Sequence, residues 1–434
     1  MTDERILEAL HRWNSWGNSF FQEGISREMA AAVEPWLERP EILVILGMRR
    51  TGKSTLLRQI AGRLRRRGIP DRDVLFLNFE DPLFLELPPV PASLDRILSV
   101  YRAVLRPAGR PWLLLDEVQA VEGWGRWVRA QQETGQARVA VTGSSSGLLE
   151  PEAATVLTGR TVQFRLDPLS FKEFLSFRGR EATELEQHGL ASGLSPLLAE
   201  YLQYGGLPEP VLAPSDNLRE TLLRRYFQDI LFRDVVARHG VRDLRGLEQV
   251  AHHLLVHTGA LVTWNRIKDQ YGLNLDPVRS YAAALEGCHL LRTMPRFSFR
   301  VPEQARAPRK VYASDTGLRN AVSFRFSADL GRLAETAVFN HVARDPDLRL
   351  YYHADHGECD FVAWRGATPI RAVQVCFGDA GAEIPAREVE GLHGALVRFG
   401  LDEGLVVTRD ALFERKLEGR TIRGVPLASF LLEG

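Results

Sequence analysis

The chain has 434 residues and no formal net charge, and its 45% hydrophobic and 25% charged content is ordinary for a globular protein. Zero net charge argues against a general basic coat for nucleic acid, and there is neither a run of about 18 apolar residues nor a basic-then-apolar amino terminus. We therefore expect no membrane span and no secretory signal, and three scattered cysteines without metal-ligand spacing favour a reducing cytoplasm.

The length predicts two to four domains, and the sequence pattern changes along the chain. Residues 1–36 are predicted to form two helices. Residues 37–165 alternate strands and helices, which is typical of an α/β core whose parallel sheet is covered on both faces. The predicted strands are residues 42–46, 74–79, 112–115, 139–142 and 162–165.

A phosphate-binding loop follows the first of these strands. Residues 47–55 read Gly-Met-Arg-Arg-Thr-Gly-Lys-Ser-Thr, between an apolar strand and a helical pattern. The glycines let successive backbone N–H groups point at a phosphate chain, Lys53 would reach the β- and γ-phosphates, and the Ser54 hydroxyl would bind Mg²⁺. The alternative is a chance glycine-rich turn. The predicted nucleotide-binding residues are Gly47, Arg50, Thr51, Gly52, Lys53, Ser54 and Thr55.

Two carboxylates end the apolar strand at residues 112–115. Asp116 is predicted to hold Mg²⁺ through water, and Glu117 to orient or deprotonate the attacking water. A plain exit from a buried strand is the alternative. Together with the glycine loop, this pair predicts Mg²⁺-dependent hydrolysis of ATP.

Two further residues are candidates for sensing the γ-phosphate. Ser144 follows the strand near residue 142 and is predicted to lie between the acidic strand and the phosphate; the alternative is a cap for the next helix. Arg160 is predicted to be a γ-phosphate sensor or an arginine finger, acting on its own site or on a neighbour's. An ordinary surface arginine is the alternative there.

A helical lid is predicted at residues 166–240, and a winged helix at residues 241–310. The winged helix would consist of helices at 247–257, 264–271 and 277–285 and a hairpin at 289–294 and 297–300. Residues 220–310 contain 15 Lys/Arg and 9 Asp/Glu, a net charge of +6, so this segment is the predicted contact with DNA. Protein contacts are the alternative. The predicted DNA-contacting residues are Lys268, Arg279, Arg292 and Arg296.

Residues 311–434 have a pattern that resembles the restriction-endonuclease-like fold, with one acid on a helix and others on strands. In active nucleases of that fold, acids or a glutamine bind Mg²⁺ and a lysine stabilises the transition state. The corresponding positions are Glu335, Asp360, Gln374 and Cys376. Because a cysteine cannot supply the cation, the domain is predicted to be a degenerate nuclease; a mixed α/β domain without nuclease ancestry is the alternative.

The whole chain resembles bacterial and archaeal AAA-type ATPases that carry a carboxy-terminal restriction-endonuclease-like domain of unknown function. The resemblance implies ATP binding and hydrolysis, and an α/β fold with a P-loop core, helical lid, winged helix and nuclease-like domain. The chain differs from the family at Gln374-Val375-Cys376, because the corresponding strand of the relatives often ends in the sequence Glu-Val-Lys. The segments that carry it are residues 47–55, 114–119, 142–145, 157–160, 168–171, 205–209, 312–318 and 360–362.

The function expected from the sequence is Mg²⁺-dependent ATP hydrolysis, coupled to binding or remodelling of branched or single-stranded DNA. One alternative is a signalling or defence switch, in which the nucleotide state changes a protein–protein contact. Its support is the lack of net charge and the net charge of −4 in residues 311–434. The other alternative is an active Mg²⁺-dependent nuclease. The expected ligands are ATP and Mg²⁺, and the expected partners are DNA and further copies of the chain.

Overall fold

The computed structural model describes residues 1–14, 16, 23–143, 155–190, 193–323, 330–355, 357–378 and 383–433. The chain divides into two units, Met1–Leu166 and Asp167–Gly434. Among the described residues, we find no helix with the length and apolar character that a membrane crossing requires.

A parallel sheet forms the centre of the amino-terminal unit, with the strand order β2-β3-β4-β1-β5 among the described residues. All residues of β1 and β3 are buried, as expected for strands covered on both faces. The parallel α/β core predicted from the sequence is therefore confirmed. The strands are β1 (Ile42–Leu46), β2 (Val74–Asn78), β3 (Trp112–Asp116), β4 (Arg138–Thr142) and β5 (Thr161–Arg165).

Helices cover both faces of this sheet because side chains alternate along each strand. Ile42, Val44 and Leu46 of β1 belong to one buried cluster, whereas Leu43 and Ile45 belong to another. The second cluster includes apolar residues of the helix that follows the glycine loop. The described helices of this unit are Asp3–Trp13, Glu28–Val33, Lys53–Arg66, Pro91–Leu105 and Trp124–Glu133.

The carboxy-terminal unit begins with a run of helices, as predicted for residues 166–240. A buried aspartate ties this run to a later helix: the Asp315 carboxylate accepts the Gly206 N–H at 2.7 Å and the Leu318 N–H at 2.9 Å. Burial raises the pKa of Asp315 to about 6. The helices of the run are Phe171–Phe177, Glu184–Gln187, Ser195–Tyr204, Pro208–Leu212 and Asp216–Asp229, followed by the π-helix Ile230–Val236 and the short helix Ala237–His239.

Three helices and a small antiparallel sheet come next, at Leu244–Val256, Trp264–Tyr271 and Leu275–Gly287. The sheet has the order β6-β8-β7 in the part of the chain described, and its strands are β6 (Leu261–Val262), β7 (Leu291–Met294) and β8 (Arg309–Ala313). The predicted hairpin is wrong in its second strand, because β7 pairs with β8 and not with residues 297–300. That segment turns away, since the Phe297 N–H donates to the Tyr352 carbonyl at 2.8 Å. Strand β8 also runs across the predicted limit between residues 310 and 311.

A mixed sheet with the order β13-β14-β12-β11-β10-β9 in the described residues completes the unit. Its two outer pairs on one side, β9 with β10 and β10 with β11, are antiparallel, whereas β11, β12 and β14 run parallel. The strands are β9 (Leu348–Ala354), β10 (Glu358–Arg365), β11 (Thr368–Cys376), β12 (Glu403–Thr408), β13 (Phe413–Leu417) and β14 (Arg420–Pro426). The described helices beyond β7 are Val301–Arg306, Thr316–Val322, Leu330–Val342, Ala386–Phe399 and Leu427–Phe430.

Candidate active site

The glycine loop leaves the end of β1 and enters the helix Lys53–Arg66. A Cβ atom at Gly47 would lie 2.3 Å from the Leu166 carbonyl oxygen, so this position has no room for a side chain. Gly52 has a left-handed φ of 97° directly before the helix. The loop also has internal support, because the Thr51 hydroxyl donates to the Met48 carbonyl at 2.9 Å and Arg27 donates to the Thr51 carbonyl at 2.6 Å.

Lys53 is buried within the loop that it is predicted to serve. Its ammonium donates to the carbonyl oxygens of Gly47 at 3.1 Å and Met48 at 3.3 Å. It also lies 3.7 Å from the Glu117 carboxylate. The positive charge is therefore held at the start of the helix, where backbone N–H groups and the helix dipole favour an anion.

Asp116 ends β3 at the same edge of the sheet as the glycine loop. Its carboxylate is 2% exposed and accepts the Thr142 hydroxyl at 2.5 Å. Burial raises the pKa of Asp116 to about 6; the hydrogen bonds from Thr142 and Ser54 oppose this shift, whereas the negative charge of Glu117 adds to it. A buried carboxylate next to a serine hydroxyl fits the protein's part of a Mg²⁺ site in which phosphates and waters supply the other ligands.

Glu117 is held in a defined orientation beside Asp116. Its backbone is left-handed, with a φ of 54°, and its N–H donates to the Thr142 hydroxyl oxygen at 3.1 Å. Its carboxylate accepts the Gln119 amide at 2.5 Å. The structure therefore brings Lys53, Ser54, Asp116 and Glu117 close together.

The two predicted sensors have different outcomes. Ser144 lies outside the described residues. Arg160 precedes β5 at the opposite edge of the sheet, where its carbonyl accepts the Ile42 N–H and its guanidinium pairs with Glu133 at 2.8 Å. The length of β1, about 13 Å, separates that edge from Gly47. In this structure Arg160 therefore lies away from the glycine loop of its own chain, and its role as a sensor or an arginine finger stays a prediction.

The residues predicted to contact DNA are not equally available. Arg279 is exposed, and Lys268 is partly exposed beside Asp269. Arg292 is not available: its side chain is 12% exposed, pairs with Asp167 and donates to the Ala343 carbonyl. These two partners precede the helix Phe171–Phe177 and follow the helix Leu330–Val342, and they hold the guanidinium away from solvent.

Arg296 lies at the edge of a surface pocket of about 310 Å³. The Arg296 guanidinium pairs with Asp355 at 2.5 Å and is partly exposed. The Phe299 ring is 71% exposed, and the Arg398 guanidinium lies 5.3 Å from its centre. The pocket is lined by Arg296, Phe297, Ser298, Phe299, Arg300, Glu303, Asp355 and Arg398.

The nuclease-like positions contain a cation that the sequence did not predict. Glu335 and Asp360 do meet, and the Lys310 ammonium lies between them, 3.0 Å and 2.7 Å from their carboxylate oxygens. The Gln374 amide oxygen accepts the Asp360 N–H, and its amide nitrogen donates to Glu388. Burial raises the pKa of the half-buried Cys376 thiol. The inference that Cys376 leaves these positions without a cation is therefore wrong.

Sequence reasoning missed Thr142, Gln119 and Lys310 as members of these sites. Thr142 and Gln119 had a local signal, since both are polar and lie next to a strand end that carries the candidate residues. Lys310 had none, because its partners are 25 to 50 residues away along the chain.

Comparison with known proteins identifies the region around the glycine loop. Residues 39–175 match the family described as AAA domain, and residues 195–329 match a domain of unknown function (DUF8612). An uncharacterized protein of Haemophilus influenzae is 33% identical over 346 residues, which are 77% of this chain and 82% of that protein. The uncharacterized protein MJ1544 of Methanocaldococcus jannaschii is 28% identical over 392 residues, 86% of this chain and 84% of the relative. Among solved structures, the Aeropyrum pernix ORC1 protein in complex with DNA is 16% identical, with a TM-score of 0.30, 70% of this chain covered and 94% of the other.

Proposed function

We propose that the chain, which belongs to the family of AAA-domain proteins that includes its Haemophilus influenzae relative, binds ATP with Mg²⁺ and hydrolyses it. The observation that carries this proposal is the convergence of Lys53, Asp116 and Glu117 at one edge of the parallel sheet. The Lys53 ammonium is 3.7 Å from the Glu117 carboxylate, and both adjoin the glycine loop. A phosphate chain bound in that loop would lie between the Lys53 ammonium and the carboxylates of Asp116 and Glu117, which have different roles in the reaction.

Each residue has a separate role in the proposed reaction. Lys53 binds the β- and γ-phosphates, and Ser54 and Asp116 hold Mg²⁺, which when bound neutralises charge on the phosphate oxygens. Glu117 orients the attacking water and accepts its proton. Gln119 and Thr142 keep Glu117 in place through the carboxylate and the backbone N–H.

The full-length chain should release phosphate from ATP in the presence of Mg²⁺ and should stop when EDTA removes the metal. The physical reason is that the Asp116 carboxylate and the phosphate oxygens are both negatively charged and would repel each other unless a Mg²⁺ ion lay between them. Malachite-green detection of phosphate measures this, and calorimetry with a non-hydrolysable ATP analogue measures binding separately. A chain that binds neither the analogue nor ATP would contradict the proposal.

We further propose that ATP turnover is coupled to nucleic acid and that single-stranded DNA binds at the pocket around Phe299. The support is an exposed aromatic ring beside three arginines. The Phe297 ring stacks on Trp364 at 4.9 Å and meets the Phe299 ring edge-on at 4.8 Å. Phe299 therefore packs on Phe297 with one edge and leaves most of its ring exposed.

This arrangement suits one nucleotide of a single strand. A base would stack on the exposed face of Phe299, and Arg300 and Arg398 would meet the neighbouring phosphates. The pocket lining has three arginines and two carboxylates, Glu303 and Asp355, so it has a small excess of positive charge. An acidic peptide would gain the same charges but would leave the aromatic face unused.

Phe299→Ala should weaken binding of a single-stranded oligonucleotide about 5-fold to 150-fold, since stacking of one base on an aromatic ring contributes roughly 1–3 kcal/mol. Arg300→Ala should also weaken it and reduce its salt dependence. Fluorescence anisotropy without nucleotide measures this independently of ATP turnover. Leu412→Ala, which truncates another exposed apolar side chain, is the matched control. Equal affinity of Phe299→Ala and the wild-type chain would rule the pocket out.

The alternative function, a signalling or defence switch, predicts different behaviour. ATP turnover should then be slow and unchanged by any form of DNA, and the assembly state should depend on the bound nucleotide. Arg160 belongs to that prediction, because an arginine at the far edge of the sheet acts on a phosphate only across a contact between two chains. Size-exclusion chromatography with and without the ATP analogue separates the two functions.

A further inference from the structure

One buried lysine lies in a cage of three carboxylates within the carboxy-terminal unit. The Lys310 ammonium is 2.7 Å from Asp360, 2.9 Å from Glu358 and 3.0 Å from Glu335. Lys310 is only 3% exposed. The cage has outer support, because the Tyr312 hydroxyl donates to Glu335 at 2.7 Å and the Val375 N–H donates to Asp360 at 3.0 Å.

The geometry of the cage matches one ammonium group. An ammonium has three N–H donors, and the three carboxylates offer one acceptor oxygen each at hydrogen-bond distance. A divalent ion bound by the same oxygens would need to lie about 2.0–2.6 Å from them, in the space that the nitrogen of Lys310 occupies. The ammonium and the ion therefore exclude each other.

The Mg²⁺ that the nuclease-like resemblance implies does not fit these residues. Asp360 and Glu335 are engaged by Lys310, and the Gln374 amide is held between Asp360 and Glu388. Among the described residues, no cluster of three or more His, Cys, Asp or Glu is arranged to hold a metal ion.

The cage also joins three separate elements. Lys310 belongs to β8 of the three-stranded sheet, Glu335 to the helix Leu330–Val342, and Glu358 and Asp360 to β10 of the larger sheet. Such a linkage between distant segments is a task that structural metal ions perform in other proteins.

We propose that the Lys310 ammonium is the resident cation of this cage, in the place of a divalent metal. It fastens the three-stranded sheet to the larger sheet, and the carboxy-terminal unit does not cleave nucleic acid.

Manganese binding to the full-length chain tests the proposal, because Mn²⁺ readily replaces Mg²⁺ and can be followed by calorimetry and electron paramagnetic resonance. In the wild-type background, Asp360→Asn should leave Mn²⁺ binding unchanged, since the cage takes up none. Lys310→Ala should lower the Tm by about 5 °C or more, because it leaves three carboxylates without their cation. The Lys310→Ala variant should also bind one more Mn²⁺ ion than the wild-type chain, and this ion should raise its Tm again. The double variant Lys310→Ala/Asp360→Asn should lose both the additional Mn²⁺ and the rise in Tm.

The control is Lys416→Ala, which removes an exposed lysine on β13 and should change neither the Tm nor Mn²⁺ binding. If Lys310→Ala does not fold, Mn²⁺ binding by the wild-type chain and by the Asp360→Asn variant still tests the proposal. Mn²⁺ binding that Asp360→Asn removes from the wild-type background would overturn the proposal. So would metal-dependent cleavage of DNA that disappears in the same variant.

Discussion

Glu117→Gln is expected to bind ATP about as well as the wild-type chain and to lose on the order of 10²–10⁴ in turnover. Glutamine keeps the shape of the side chain but accepts no proton at neutral pH. The contact with Gln119 survives, because the Gln119 amide can still donate to a carbonyl oxygen. Steady-state phosphate release gives the rate, and calorimetry with an ATP analogue gives the affinity.

Glu122→Gln is the matched control for this change, because it removes an exposed carboxylate five residues further along and should turn over normally. If Glu117→Gln binds ATP weakly but hydrolyses the bound nucleotide at the normal rate, Glu117 contributes to binding and not to catalysis. If Glu117→Gln has normal ATP affinity and normal turnover, Glu117 is not the base.

Lys53→Ala should weaken ATP binding by about 30-fold to several thousandfold, because truncation of one partner of a buried charged hydrogen bond costs roughly 2–5 kcal/mol. The phosphates would still meet backbone N–H groups of the loop, but no cation would face their charge. Lys53→Arg should fail almost as badly, because the wide guanidinium does not fit where the ammonium meets the Gly47 and Met48 carbonyls. Analogue binding by calorimetry measures both variants.

Lys172→Ala is the control for Lys53, since it removes an exposed lysine on the helix Phe171–Phe177. Tight binding by Lys53→Ala would mean that the loop holds no phosphate. Circular dichroism on each variant separates loss of binding from loss of fold.

The parts of the molecule that could be predicted from the sequence are those with a strong local cause. β1 and residues 112–115 of β3 are continuous apolar runs, which is typical of strands buried in a parallel sheet. The pair of acids at residues 116 and 117 follows β3 directly, and parallel strands bring their carboxyl ends to one edge. The placement of the candidate site at this edge of the sheet could therefore be predicted from the sequence.

The parts that could not be predicted depend on contacts between distant residues. Arg292 and Lys310 both count as basic residues in a positive segment, yet each pairs with acids far away in the chain, Arg292 half-buried and Lys310 buried. Arg160 comes after β4 of the same sheet in the chain, but it lies at the edge opposite the glycine loop, beside Ile42. The predicted hairpin is wrong for a related reason, because Arg296 and Phe297 pair with Tyr352 on β9, which comes much later in the chain.

The contacts of Lys53 give the glycine loop a resting position. Its ammonium donates to two carbonyl oxygens of the loop and lies 3.7 Å from the carboxylate of Glu117. If the chain binds ATP as proposed, the phosphates would compete with Glu117 for this cation. The Glu117 carboxylate would then be available to a water molecule only when the nucleotide is bound.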